Sequence, residues 1–347
     1  MKFLLALTAL ACTAQAQPSK SKLPPPAATY RVTNTAKIGG EGGWDFIHFD
    51  HPGNRLYASH GTRVDVLDLT TLRKVGSLAN TPQVHDIVVV PAHKRGFVSC
   101  GGTNAVLLFD PATLKTTGTV AVGTGPDAML YDSFSDRVFV FNHGGGTVSA
   151  LSAATGAVVG TADLGPALDV GATDGAGTVF VNSEDKSEII AFDAKTLAVR
   201  HRWPLAPGIE PTGLAYEPAS HRLYAACANK LMVIVDARTG KVVGTAPTGA
   251  GTDGLALDPA RHLAFTSNGE DGTLTVVRTD VVGRFPVAQT LTTAPGARTL
   301  TLDPATHRLY LPTADYGPAP AATATAPRPR RSVAPGTFRI MEVGPAK

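Results

Sequence analysis

The chain has 347 residues, 36 of them Gly and 26 Pro, with 17% charged and 43% apolar residues; such a balance suits a turn-rich all-β chain whose core is spread over many short strands. Of the formal charge of +3, one unit belongs to Lys2 and three to Arg328, Arg330 and Arg331, which leaves −1 for everything else. A protein-wide nucleic-acid footprint is thereby excluded, and past the N-terminus no segment reaches the roughly 20 apolar residues of a membrane span.

In chain order, residues 1–16 combine Lys2, an apolar run over 3–11 and the exit Ala14-Gln15-Ala16. This is the pattern of a Sec-type signal peptide cleaved after Ala16, so the mature protein is expected to be periplasmic or secreted. Cys12 offers lipidation as an alternative, although Ala9-Leu10-Ala11 ahead of it is a poor lipoprotein signal. Residues 17–30 read as a flexible leader. Residues 31–38 then read as an outer strand that has no blade of its own.

From Asp45 onward a phrase of roughly 42 residues returns seven times, a spacing that predicts four-stranded propeller blades. Innermost strands start at Asp45, Asp86, Asp127, Asp169, Thr212, Asp253 and Arg298. A few residues later a turn opens on Asp50, Asp132, Asp174, Glu217, Asp258 or Asp303, with Pro91 in the second copy; Asp bonds its own backbone there and Pro fixes φ. Second strands carry an aromatic at a matching place: Tyr57, Phe97, Phe139, Phe180, Tyr224, Phe265 and Tyr310. Third strands are β-branched runs and end in Asp-x-x-Thr turns at Asp68, Asp110, Asp193 and Asp236.

The seventh copy supplies three strands and stops at Lys347. The orphan strand 31–38 is expected to complete it and close the ring, because an open ring leaves unpaired backbone edges. The domain is thus expected to run over 31–347, with 314–336 forming a Pro-, Ala- and Arg-rich loop between the second and third strands of the last blade. Cys100 and Cys227 occupy the same repeat position in separate blades and are expected to stay unpaired and buried.

The second strands carry a resemblance. Phe139-Val140-Phe141-Asn142, Phe265-Thr266-Ser267-Asn268 and Tyr57-Ala58-Ser59-His60 are variants of Tyr-Val-Thr-Asn, and Leu-Asp-Pro turns stand at Leu257 and Leu302. The chain resembles the YVTN-repeat, or YncE-like, family of exported seven-bladed propellers from about residue 30 to its end. The resemblance implies the fold and no common reaction.

In such a wheel, starts of inner strands and ends of second strands share one face around the channel mouth. Trp44, Asp45, His60, His85, Asp86, Asp127, His143, Asp169, Glu210, Asp253 and Arg298 are therefore the expected ligand-binding set. Converging carboxylates repel unless protonated, hydrated or bound to a cation. Asp45, Asp86, Asp127, Asp169 and Asp253 could accordingly hold Ca²⁺ or Zn²⁺; the competing reading is that repeated Asp residues cap turns and bond the next blade. Arg298 in an acid position predicts a local ion pair. Searches for nucleophile, zinc and phosphate-loop motifs return nothing.

The leading expectation is thus an exported, non-catalytic binding or scaffold propeller, monomeric and requiring no cofactor. Its partner would be a protein, peptide, polymer or small molecule, met at the channel mouth and at a loop carrying Tyr316, Arg328, Arg330 and Arg331. Single-stranded nucleic acid stacking on Trp44 or Tyr316 is a weaker option. The alternative is a metal-assisted hydrolase or lactonase at the acidic mouth.

Overall fold

The computed structural model describes residues 29–281, 283–318 and 331–346. The signal peptide with Cys12, the leader up to residue 28, and Arg328 and Arg330 lie outside the described residues.

The turn chemistry read from the repeats is what punctuates the strands. The Asp50 carboxylate accepts from Gly53 N at 3.1 Å, Asp132 from Ser135 N at 2.9 Å and Asp303 from Ala305 N at 2.9 Å. In the outer turns Asp68, Asp110, Asp193 and Asp236 each accept backbone N–H groups two and three residues ahead. The next position of these turns is left-handed: Leu72, Leu114 and Leu197 adopt φ between 54° and 63°, whereas Gly240 takes the same place without strain, as Gly156 does in the corresponding turn opened by Ser152.

These turns fold the chain into antiparallel sheets of four strands. The first six blades start with Ile47–Asp50, Val84–Val90, Pro126–Asp132, Leu168–Thr173, Pro211–Glu217 and Thr252–Asp258, and each runs outward in chain order. Each inner strand contacts the next, and Thr301–Asp303 of the seventh blade meets Ile47–Asp50 of the first, so the inner strands form a closed ring. The repeated aromatics are at most 2% exposed and fill the spaces between blades; Phe139, for example, packs edge-on against Phe192 of the next blade at 5.5 Å. Cys100 and Cys227 are free and buried.

The seventh blade joins both ends of the chain. Arg308–Thr313 and Arg339–Pro345 pair with each other, and Tyr30–Lys37 adds the outermost strand antiparallel to Arg339–Pro345. Tyr30 anchors this strand. It is 2% exposed, meets Phe265 of blade six edge-on at 4.9 Å, and its backbone N–H and C=O both bond the Gln289 side chain at 2.8 Å. Ring closure therefore ties the N-terminal strand to two blades.

Tyr30→Ala is expected to remove about 3 kcal/mol of unfolding free energy by opening a buried cavity, measurable by urea denaturation. Deleting 30–37 is expected to leave blade seven with an open edge and to give soluble aggregates in size-exclusion chromatography; a monodisperse, cooperatively melting deletion protein would contradict the closure.

Candidate functional site at the channel mouth

In five blades the register between the first two strands shifts at the same place, bracketing Asp86, Asp127, Asp169, Thr212 and Asp253. A bulge turns a side chain away from the regular pleat, and here it redirects the ring residues. Second-strand serines hold the backbone: Ser59 and Ser99 hydroxyls accept from Asp45 N and Asp86 N, both at 2.8 Å.

The outcome is a cavity of about 930 Å³ lined by Asp45, Asp127, Asp169, Asp253, Glu184 and Glu270, by His85, His143, Arg298 and Arg331, and by Trp44, Phe46 and Tyr316. At its centre Arg298 donates to Asp253 Oδ2 at 2.7 Å, to Asp45 Oδ1 at 3.0 Å and to the Trp44 carbonyl at 2.9 Å. The ion pair expected from Arg298 is present and links three blades. His85 Nδ1 sits 2.7 Å from Asp45 Oδ2 and 3.4 Å from Asp127 Oδ1. His143 Nδ1 meets the Leu168 carbonyl at 3.1 Å.

Crowding of carboxylates shapes their protonation. Burial, helped by the charge of Asp45, raises Asp127 to about 6 against the pull of His85 and Arg298. Burial, the Asp127 charge and a hydrogen bond with Glu184 hold Asp169 well above the usual carboxylate range. Asp253 is also raised, burial outweighing its partner Arg298. For His85 burial favours the neutral ring, but the hydrogen bond to Asp45 and the charge of Asp127 prevail and its pKa rises.

Other residues of the expected set lie elsewhere. Asp86 is 8% exposed and accepts from Ile87 N at 2.7 Å and from Met129 N of the next blade at 2.7 Å, so it staples two blades and is not part of the cavity wall. Burial pushes it up to about 7 even against those donors. His60 is fully buried, stacked on Phe338 at 4.0 Å with Nδ1 2.7 Å from Asp65. Glu210 is exposed, in a left-handed turn, and does not line the cavity. Trp44 is 7% exposed, with Nε1 donating to Gly296 O at 3.1 Å and its ring packed on Tyr316 and Phe338; it is a wall element, not a platform for a base. Tyr316 and Val333 pair at the base of the last-blade loop, where Arg331 lies 5.6 Å over the Tyr316 ring. Glu270 and Phe46 line the cavity and were not singled out from sequence.

Fold and site together define a seven-bladed propeller with an acidic channel mouth. Residues 102–294, more than half of the chain, match the model of the family described as outer membrane protein assembly factor BamB, and the chain belongs to that family. A search of curated proteins finds no match. Among solved structures, a chain from the crystal structure of the mitotic checkpoint complex is similar over 88% of this chain and 96% of its own, with a TM-score of 0.70 and 14% identity, a likeness of fold alone. Among the described residues no helix is long and apolar enough to cross a membrane.

An acid raised in the folded state favours the protonated form there, so its contribution to stability is complete below the ordinary carboxylate range and is lost as pH rises through the folded value. The melting temperature of Asp127→Asn, followed by differential scanning fluorimetry, is therefore expected to gain on wild type as pH rises from about 4 to about 6 and to hold a constant difference above about pH 7. A difference independent of pH would show that Asp127 titrates normally.

Proposed function

We propose that the protein is an exported, non-catalytic binding propeller that receives a basic segment of a partner protein at its channel mouth. The observation that carries this reading is unmet negative charge facing a wide cavity. Arg298 is engaged by Asp45 and Asp253, while Asp169, Glu184 and Glu270 line the same cavity. Lys or Arg side chains entering there would gain charge-assisted hydrogen bonds in a partly desolvated site. The family description, an outer membrane assembly factor, supports a protein partner. The pattern of residues 1–16 supports export, and the Tyr-Val-Thr-Asn variants support a place in the YVTN branch of propellers.

A second reading, the metal-assisted hydrolase or lactonase, draws on the proximity of His85 to Asp45 and Asp127. It would appear as turnover of simple lactones or esters that disappears in Asp127→Asn.

Calorimetric titration with peptides of equal length bearing lysines, glutamates or neither distinguishes the outcomes. Lysine peptides are expected to bind, to weaken with added salt, and to lose at least tenfold in affinity, about 1.4 kcal/mol, in the Asp169→Asn/Glu270→Gln double variant. Equal binding of all three peptides, or none, would remove the acidic mouth from the account.

A further inference from the structure

Asp45, His85 and Asp127 come from the first, second and third blades and are gathered by the packing of the consecutive inner strands around the channel. One ligand atom from each lies within 4.8 Å of the others. His85 Nδ1 is 2.7 Å from Asp45 Oδ2 and 3.4 Å from Asp127 Oδ1. Around a tetrahedral ion with bonds of about 2.0–2.2 Å the ligand atoms stand about 3.3 Å apart, so these groups need only small movements to share one.

Two further observations point to a missing cation. Asp127 Oδ1 is a buried oxygen with no hydrogen-bond donor. Asp169, only 7% exposed on the same cavity wall, has among the described residues no side-chain hydrogen-bond partner except another carboxyl group, Glu184. Neither Asp127 nor Asp169 bonds Arg298, whose guanidinium pairs with Asp45 and Asp253.

We propose that Asp45, His85 and Asp127 form a binding site for one divalent first-row transition-metal ion, Zn²⁺ in preference to Ca²⁺. The imidazole decides the class: Ca²⁺ and Mg²⁺ take oxygen ligands, whereas a nitrogen with two carboxylates suits zinc. Arg298 orients the Asp45 carboxylate from its other oxygen, as groups behind a metal ligand do. Three protein ligands leave a tetrahedral ion one position for water or for a group of a bound molecule. The ion would occupy the side of the mouth built by blades one to three, leaving Asp169, Glu184 and Glu270 to a basic partner. The site does not presuppose that partner.

The test uses the full mature chain, stripped with EDTA and returned to chelator-free buffer at pH 7.5, then titrated calorimetrically with ZnCl₂ alone and CaCl₂ alone. One Zn²⁺ per chain is expected, at least 100-fold tighter than Ca²⁺. His85→Ala and Asp127→Asn are each expected to weaken zinc at least tenfold, while His201→Ala, on an outer strand, leaves it unchanged. Absence of stoichiometric zinc, or unchanged affinity in the folded His85 and Asp127 variants, overturns the site. If either variant loses its near-UV circular dichroism, anomalous diffraction at the zinc edge from zinc-soaked wild-type crystals replaces it. A peak among the three side chains supports the site, and none at saturating zinc overturns it. Because no peptide is present, this result is independent of the basic-peptide titration.

Discussion

Closure of the ring by the N-terminal strand is the constraint on which the remaining structure depends. Every blade packs its aromatic against a neighbour, so no blade buries its hydrophobic face alone. The last blade is the weak point, since Arg339–Pro345 would present a bare edge without Tyr30–Lys37 beside it. Once Tyr30 is seated against Phe265 and Gln289, the wheel is continuous and the inner strands converge. Only then do Asp45 and Arg298, 253 positions apart, come within 3.0 Å.

Convergence has an electrostatic cost that the fold resolves residue by residue. Asp86 accepts from backbone donors of its own strand and the next blade, yet burial still lifts it to about 7. Asp45 and Asp253 share Arg298, and Asp45 shares His85 with Asp127. Asp127 and Asp169 are left with the least compensation, and burial lifts both toward protonation. A site tuned this way is poised to accept positive charge, whether a proton, a metal ion or a basic side chain.

Much of this was legible in the sequence because repetition reports geometry. The aromatic of each second strand and the Asp of each turn recur at fixed spacing, and their burial and Asx bonding follow from that. The closing strand was legible as a missing fourth element of the seventh copy. Side-chain direction was not. Asp86 and His60 each stand one residue off the mouth positions. With Val84 and Pro126 paired alike to Cys100 and Asn142, His85 takes the place of Asp127 and Asp86 that of Ala128, where it accepts from the Met129 N–H. His60 aligns with Cys100 and Asn142, one residue before His143, and is buried against Asp65 and Phe338. Glu270 was within reach: it follows a second strand much as His143 and Glu184 do, displaced by one glycine.

The central claim is that closure couples groups from opposite ends of the chain into one charged mouth. A double-mutant cycle on Asp45→Asn and Arg298→Gln, read by urea unfolding at pH 7.5, tests it most directly. The account predicts a coupling of about 0.5–3 kcal/mol, with the lower half expected because the guanidinium is 39% exposed. Additivity within about 0.3 kcal/mol would mean that the two residues do not meet in the folded protein, and the mouth described above would not exist.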